Sequence, residues 1–312
     1  MIALAAACFV ACSTDEEKET TVTRYPLTIE VQENPLVNPG APANVKATRA
    51  AITTTSTLTT FSLDYQYGDA PSHGSMTATK GIDSKWSSGA WPGTAVENDN
   101  TVNWYAYTAG TFISGANPYI NFTVEENTAT QKDLLVAQTS GRYSDTGGNL
   151  NFTFDHVCTA LRFYVKKATN LADYTLSITN VRLCNVINNG QYDYATASWT
   201  LGSSRSSYTL YDGTAKTLGI SDYEPLDASD APCLFMIPQT LTSWDGTTAI
   251  TSTNAQTYIQ ITCIITKDES NVYSGTAYIP FAAILTAGYQ HDVKLNIGKN
   301  SLYSSANTKI IN

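Results

Sequence analysis

Charged residues and histidines are scarce in this sequence. Only 14% of its 312 residues are Asp, Glu, Lys or Arg, and three are histidines, whereas about 25% of the residues of an ordinary soluble domain are charged. The net charge of −9 and the lack of any basic cluster exclude nucleic acid as a partner. Thr, Ser, Asn, Gly and Tyr fill the deficit, and these residues favour strands and turns.

Long apolar runs and catalytic motifs are missing as well. No run after Cys12 approaches the ~20 apolar residues of a membrane helix, and there is no G-x-S-x-G, phosphate loop or H-E-x-x-H motif. His156 follows an aspartate and His291 precedes one. Neighbours on a strand face opposite sides of the sheet, so neither pair can act together as a base and an orienting acid. His73 lies in a turn-like stretch with no evident partner. We therefore predict that the protein is not an enzyme and holds no metal or cofactor.

Six cysteines are present, and none forms a Cys-x-x-Cys pair, so zinc and thioredoxin-like sites have no support. Cys8 and Cys12 lie in the N-terminal apolar segment. The remaining four lie in apolar, strand-like runs: Cys158, Cys184, Cys233 and Cys263. These four could form disulfides in an oxidising compartment, but the local patterns favour free, buried thiols.

Short strands separated by turns recur along the chain. Residues 25–31 alternate apolar and polar side chains, which indicates a half-buried strand with Leu27, Ile29 and Val31 on one face. Pro26 favours a strand start or an edge position there. Further strands are predicted at 52–67, 75–79, 102–107, 119–124, 134–138, 150–154, 160–166, 175–186, 197–200, 207–211, 234–237, 258–266, 272–279 and 291–297.

This density of strands and turns predicts an all-β fold of sandwiches or barrels. A polar stretch with two glycines, 142–149, marks the predicted boundary between an N-terminal domain, 25–148, and a C-terminal domain, 149–312. Residues 280–288 are predicted to form one or two helical turns. Three tryptophans are predicted in loops, either as contacts for sugar or protein or as anchors over the core: Trp86, Trp91 and Trp244.

The N-terminus resembles a bacterial lipoprotein signal. A small, apolar run ends at Cys12, as the core and cleavage site of a secretory signal do. A cysteine at that point resembles the lipobox, whose cysteine carries lipid such as palmitate. The acidic residues 15–19 resemble the surface-export tag of Bacteroidetes lipoproteins. Residues 1–12 are thus predicted to be the signal segment and residues 13–24 a tether.

Two other interpretations of this segment stay open. Cys8 is a second candidate for lipidation, although the apolar Phe9 and Val10 behind it are unlike the polar start of a mature lipoprotein. Alternatively, the segment is a buried N-terminal strand that contains a cysteine by chance.

Five motifs together resemble the fimbrillin family of Bacteroidetes, in order and in spacing. They are residues 104–107 (WYAY), 131–137 (QKDLLVA), 152–163 (FTFDHVCTALRF), 235–239 (FMIPQ) and 275–280 (GTAYIP). The resemblance covers nearly the whole chain. It implies two tandem transthyretin-like β-sandwich domains and a type V pilus subunit-like lipoprotein at the cell surface, anchored to the outer membrane by lipid on Cys12.

The resemblance also implies assembly by donor-strand exchange. An Arg-specific protease would cut between Arg49 and Ala50, and the first strand would leave. A strand from another pilus subunit would then fill the groove that Leu27, Ile29 and Val31 had occupied. A chain that loses one strand exposes unpaired backbone groups and an apolar trench, which an extended segment satisfies.

One feature departs from the pattern of polymerising stalk subunits. Little sequence follows Ile297, which leaves three interpretations: the chain is a tip or accessory subunit, residues 292–297 are themselves the donor strand, or the sequence is incomplete. The alternative function is a surface lipoprotein that binds glycan or host protein and never polymerises. The sequence does not name the ligand on a host or bacterial surface.

Overall fold

The computed structural model describes residues 25–37, 57–68, 72–226, 234–250, 255–304 and 308–311. Strands dominate these ranges, which confirms the predicted all-β class. The helical elements found there are α1 (Gly93–Glu97), α2 (Tyr143–Thr146) and the 3-10 turns Thr169–Leu171 and Lys299–Ser301. None of the helices in the described ranges has the length and apolar character needed to span a bilayer.

Both halves of the chain contain short and long strands, and the longest, of 13 residues, lie in the second half. In the first half they are β1 (Tyr25–Pro26), β2 (Thr28–Glu33), β3 (Thr60–Tyr67), β4 (Ser72–Lys80), β5 (Trp86–Ser87), β6 (Ala90–Trp91), β7 (Val102–Tyr107), β8 (Thr111–Ile113), β9 (Tyr119–Thr123), β10 (Leu135–Gly141) and β11 (Asn149–His156). In the second half they are β12 (Thr159–Lys167), β13 (Thr175–Ile187), β14 (Asn189–Asp193), β15 (Ser198–Leu201), β16 (Arg205–Thr217), β17 (Glu224–Pro225), β18 (Leu234–Met236), β19 (Thr240–Leu241), β20 (Tyr258–Lys267), β21 (Ser270–Pro280), β22 (Ala283–Ile284) and β23 (Gln290–Ile297).

Seven strands of the first half close into a barrel. Their order is β10-β11-β2-β5-β4-β3-β7, and β7 pairs back with β10. Neighbours are antiparallel except β11 and β2, which run parallel. Aromatic rings fill the interior because alternate residues of each strand point inward: Phe61, Trp104, Phe152 and Phe154 are buried together there. The barrel is therefore a closed sheet, and the N-terminal strand β2 is one of its seven strands.

The second half is built from two main sheets that share one core. β16, β13, β20 and β21 form an antiparallel sheet, and β12 pairs with β17, β18 and, in parallel, β23. A third sheet, in the order β15-β14-β9-β8, joins strands from both halves of the chain. The two halves are thus connected by strand pairing as well as by the chain.

The strands change sheet after His156, because β11 belongs to the barrel and β12 to the second half. The polar stretch predicted as a domain boundary forms α2 and the turn Gly147–Gly148, which connect β10 to β11 within the barrel. The division into domains 25–148 and 149–312, and their transthyretin-like character, stay predictions.

Several local predictions were wrong. Residues 280–288 contain the short strand β22 and no helix, and His73 lies in β4 rather than in a turn. Trp86 and Trp91 lie in strands, not loops. These two tryptophans and Trp244 are all buried, so they are anchors in the core and not surface contacts.

The three cysteines in the described ranges have the free, buried thiols that the sequence favoured. Cys158, Cys184 and Cys263 are free and buried. Burial raises the pKa of the Cys158 and Cys263 thiols, which makes them poor nucleophiles because the thiolate is the reactive form. Cys233 lies outside the described residues.

Candidate functional site in the N-terminal strand groove

The N-terminal strand β2 is fully paired along one edge and almost unpaired along the other. It lies parallel to β11 over six residue pairs, from Thr28 opposite Asn149 to Glu33 opposite Phe154. On its other side it meets β5 at one pair, Ile29 opposite Trp86. A strand held mainly by one partner strand can leave without breaking a second full ladder of hydrogen bonds.

Side chains of β2 alternate between the core and the solvent. Ile29 is 4% exposed, and Leu27 and Val31 are half-buried and pack on the same aromatic cluster. The intervening Thr28 and Glu30 are exposed. The structure therefore places the three predicted groove residues on one inward face, as the period of two along a strand requires. Their role in exchange stays a prediction.

A depression of about 850 Å³ lies between β2 and β5, where the second edge of β2 is open. The backbone and side chains of β2 form one wall. Lys80, Lys85 and Trp86 stand on the other side, and the Lys80 ammonium lies 5.8 Å from the centre of the Trp86 ring. The depression therefore runs beside β2, along the edge at which the strand is almost unpaired.

The start of the segment is fixed by aromatic contacts and by a glycine. Tyr25 of β1 pairs with Trp91, and its ring lies edge-on to Tyr143 at 5.3 Å. Gly148 approaches the backbone so closely that a Cβ atom there would lie 2.1 Å from the carbonyl oxygen of Pro26. Its φ of +87° is also one that side chains with a Cβ rarely adopt. Gly148 therefore allows the strand to enter the groove.

Beyond β2 the chain crosses onto the second half of the molecule. Leu36 is buried in the larger core cluster, and Val37 forms a parallel bridge with Tyr289. The Val37 N–H donates to the Gly288 carbonyl at 2.8 Å, and the Gln290 N–H donates to the Val37 carbonyl at 2.9 Å. The groove is thus occupied by one continuous segment, 25–37, that touches both cores.

A buried histidine lies at the end of the barrel part of this groove. His156 is an inward-facing residue of β11, after Phe152 and Phe154. Its Nδ1 lies 2.5 Å from Oδ2 of Asp133, and its Nε2 lies 3.0 Å from Oε1 of Glu33. Both ring nitrogens therefore face carboxyl groups, and two ionised carboxylates are both satisfied when the ring is the imidazolium form.

The charges in this cluster shift each other's protonation. Burial alone lowers the pKa of His156, but the hydrogen bonds and negative charges of Asp133 and Glu33 outweigh it, so the pKa is raised. Burial raises the pKa of Asp133, and the contact with His156 offsets part of that rise. Both ring nitrogens are engaged by carboxylates, so neither is available as a base or a metal ligand.

Sequence reasoning missed this cluster. The neighbouring Asp155 does face the other way, as expected, and accepts a hydrogen bond from Asn34 at 2.7 Å. The true partners lie 23 and 123 residues away in sequence. One signal was present: Glu33 continues the inward face of Leu27, Ile29 and Val31, and an acid on an apolar face needs a partner.

The remaining predicted site residues cannot be placed. Cys12, Arg49 and Ala50 lie outside the described residues, so lipidation and cleavage stay predictions. No group of three or more metal-ligating side chains occurs in the described parts of the chain.

Comparisons with known proteins agree with the architecture. The chain is similar to a fimbrial protein from Bacteroides vulgatus, with a TM-score of 0.58 and 18% identity over 88% of this chain and 96% of that chain. It also matches a candidate cell-adhesion protein from Bacteroides ovatus, with a TM-score of 0.48 and 14% identity over 90% and 95% of the two chains. At 18% identity the first likeness is one of fold.

No curated protein sequence matches this chain. The model of one family does match, and it covers residues 43–310, which is most of the sequence. That family is described as fimbrillin-like, in agreement with the resemblance of the five motifs. The chain belongs to the fimbrillin-like family.

Proposed function

We propose that this protein is a fimbrial subunit or adhesin of the bacterial surface, and that it accepts a strand from another subunit in place of β2. Membership of the fimbrillin-like family supports the first part. The second part rests on one observation: β2 is paired over six residues on one edge and at one residue on the other. Its removal would break one long ladder and one single pair in the barrel, and with them the shorter pairings of β1 with β6 and of Val37 with Tyr289.

Loss of β2 would leave a site that only another strand can fill well. Six residues of β11 would lose their pairing partners, and the pocket of Ile29 would open to water. Burial of such a side chain contributes about 1.5–3 kcal/mol. An incoming extended segment restores both the hydrogen bonds and the apolar contact, as in other cases of strand addition.

Cleavage after Arg49 is the proposed trigger. It would separate residues 1–49, which contain the whole segment 25–37, from the rest of the chain. The strand would then be held by non-covalent contacts alone. Exchange with a free segment becomes possible at that point without any change in the groove itself.

This chain is proposed to act as the acceptor rather than as the donor. Residues 292–297, the internal candidate for a donor, lie within β23, which pairs with β12 at eight positions. Leu295 and Ile297 of β23 are buried in the larger core. Withdrawal of β23 would open the second half, so these residues are poorly suited to act as a donor strand.

Attachment to the outer membrane through lipid on Cys12 completes the proposal. A Cys12→Ala variant, expressed in a Bacteroides host, should lose metabolic labelling by a palmitate analogue and should be released from cells. A Cys8→Ala variant is the matched control and should keep both. Unchanged labelling of the Cys12→Ala protein would remove this site from the proposal.

The exchange is tested with the purified chain and a labelled strand. The chain is treated with an Arg-specific protease, its products are identified by mass, and a fluorescent peptide of residues 25–37 is added. Protein cut after Arg49 should take up the peptide, and an Arg49→Ala variant should not. Arg24→Ala is the matched control and should behave as wild type, because Arg24 precedes the strand.

Two results would contradict the proposal. The cut chain would fail to take up the peptide, or the uncut Arg49→Ala protein would take it up equally well. In either case a surface lipoprotein that binds glycan or host protein without polymerising becomes the better account.

A further inference from the structure

The far end of the groove is chemically different from the rest of it. Ile29 and Val31 face an apolar cluster, but the next inward residue, Glu33, faces the Nε2 atom of His156 at 3.0 Å. The Glu33 side chain is 14% exposed and that of His156 1% exposed. The groove is thus apolar along Ile29 and Val31 and ends at a mainly buried ion pair between Glu33 and His156.

His156 is held in place from the side opposite Glu33. Asp133, whose side chain is fully buried, contacts Nδ1 there, and Leu135 pairs with His156 across the sheet. Asp155 is directed to the other face of β11, where it is bonded to Asn34. Burial and the negative charge of Asp133 both raise the pKa of the nearby Cys158 thiol, which therefore stays neutral. The ring therefore presents Nε2 in one direction, towards the groove.

Departure of β2 would remove the partner of that nitrogen. His156 and Asp133 would remain as a buried pair with one N–H directed into an open groove. A strand that brought an apolar residue to this point would bury the N–H without an acceptor, which is unfavourable. A strand that brought Lys or Arg would place like charges together. Only a carboxylate restores both the hydrogen bond and the charge balance.

We infer that His156 selects the incoming strand, because it pairs with an acidic side chain at the position that Glu33 now holds. The inference rests on the strand exchange proposed above. The preferred partner is an extended segment with aliphatic residues at positions i and i+2 and Glu or Asp at position i+4, the spacing of Ile29, Val31 and Glu33. The contact also sets the register, because a shift by two residues would bring an aliphatic side chain to His156.

The experiment uses the protease-cut chain and four fluorescent peptides of residues 25–37. They are the wild-type sequence, Glu33→Gln, Glu33→Lys and the matched control Glu30→Gln, which removes a carboxylate from the exposed face. In this comparison of peptides the protein itself is unchanged. Glu33→Gln should bind about tenfold more weakly than wild type, which is ~1.4 kcal/mol, and Glu33→Lys should bind more weakly still. Glu30→Gln should bind within about twofold of wild type.

Two further measurements assign the preference to His156. It should be largest near pH 6 and shrink as the pH rises, because His156 then loses its charge. A His156→Gln protein should lose most of the preference for the wild-type over the Glu33→Gln peptide, and what remains should not weaken over the pH range in which His156 would lose its charge. A purely structural role of the carboxylate would leave the preference independent of pH.

The outcomes separate this inference from the proposed function. Peptides that enter with equal affinity whatever residue stands at position 33 would leave strand exchange intact and overturn the selection of an acid. A cut chain that takes up no peptide at all would overturn both. Tighter binding of Glu33→Gln than of wild type would also contradict the inference.

Discussion

β2 and β23 occupy equivalent places in the two halves of the molecule. Each runs parallel to one of two consecutive strands, β2 to β11 over six pairs and β23 to β12 over eight. Each has an alternating pattern with aliphatic side chains in the core. They differ in what lies at their ends.

β23 is connected along the chain, at both of its ends, to buried residues of its own half. It begins at Gln290, which is 0% exposed, and the chain after it returns to the core at Leu302, also 0% exposed. β2 instead connects through residues 38–56 to the barrel. In the proposed exchange, the strand that leaves therefore need not be a weakly packed one. What distinguishes β2 is a connection that a single cut can open.

The largest effects should come from the buried aliphatic residues, and they should be alike in the two strands. Ile29→Ala and Leu295→Ala should each lower the free energy of unfolding of the uncut chain by about 2–5 kcal/mol, through lost burial and a residual cavity. Denaturant titration measures both. A loss below about 1 kcal/mol for Ile29→Ala alone would mean that β2 is in fact held weakly.

The next largest effect should fall on β2 and spare β23. Gly148→Ala forces a Cβ atom against the Pro26 carbonyl and should destabilise the chain by about 2–4 kcal/mol, with strain at positive φ included. Gly147→Ala is the matched control, because it has a φ of +61° but no atom within 4 Å of the added Cβ. It should lose about 1 kcal/mol. Equal losses would show that the close approach is unimportant.

A smaller effect should depend on pH and again concern β2. The pKa of His156 is raised in the folded chain, so its contribution is complete below the unfolded value of about 6.5 and is lost as the pH rises through the folded value. Wild type should therefore lose about 1–3 kcal/mol of stability as the pH rises from about 6.5, the range expected for a charged hydrogen bond. His156→Gln should show no such loss in unfolding curves, and an unchanged slope would exclude His156 as its source.

The smallest effects should come from the exposed faces. Gln32→Ala in β2 and Asn296→Ala in β23 should each change the free energy of unfolding by less than about 0.5 kcal/mol, because both side chains are exposed. A larger change at Gln32 would point to a contact on the outer face that distinguishes the strands further.

Local pattern was enough to predict parts of the fold. The alternation in residues 25–31 located the strand and its inward face, and β7 coincides with the predicted 102–107. The all-β class followed from the density of strands and turns. These features depend on neighbouring residues, which the sequence displays directly.

Features that depend on distant pairing were missed. Trp86 and Trp91 lie in strands of two residues, which are too short to show an alternating pattern. The partners of His156 come from segments brought together only by the closed barrel. Asp133 stands next to a buried apolar run, where a charge is expected only if it is paired, but the sequence does not say with what.

The connection between Val37 and the barrel has a quantitative consequence for assembly. A strand joined to its own groove by a short stretch of chain competes with an effective concentration of the order of millimolar. A donor segment present at about 1 μM would then need roughly 10³-fold higher intrinsic affinity to displace it. A cut in residues 38–56 leaves the described contacts of 25–37 unchanged, yet it removes this advantage as soon as the strand dissociates. In the proposed exchange, the uncut connection would therefore keep β2 in its own groove, and the cut would set the moment at which another strand can replace it.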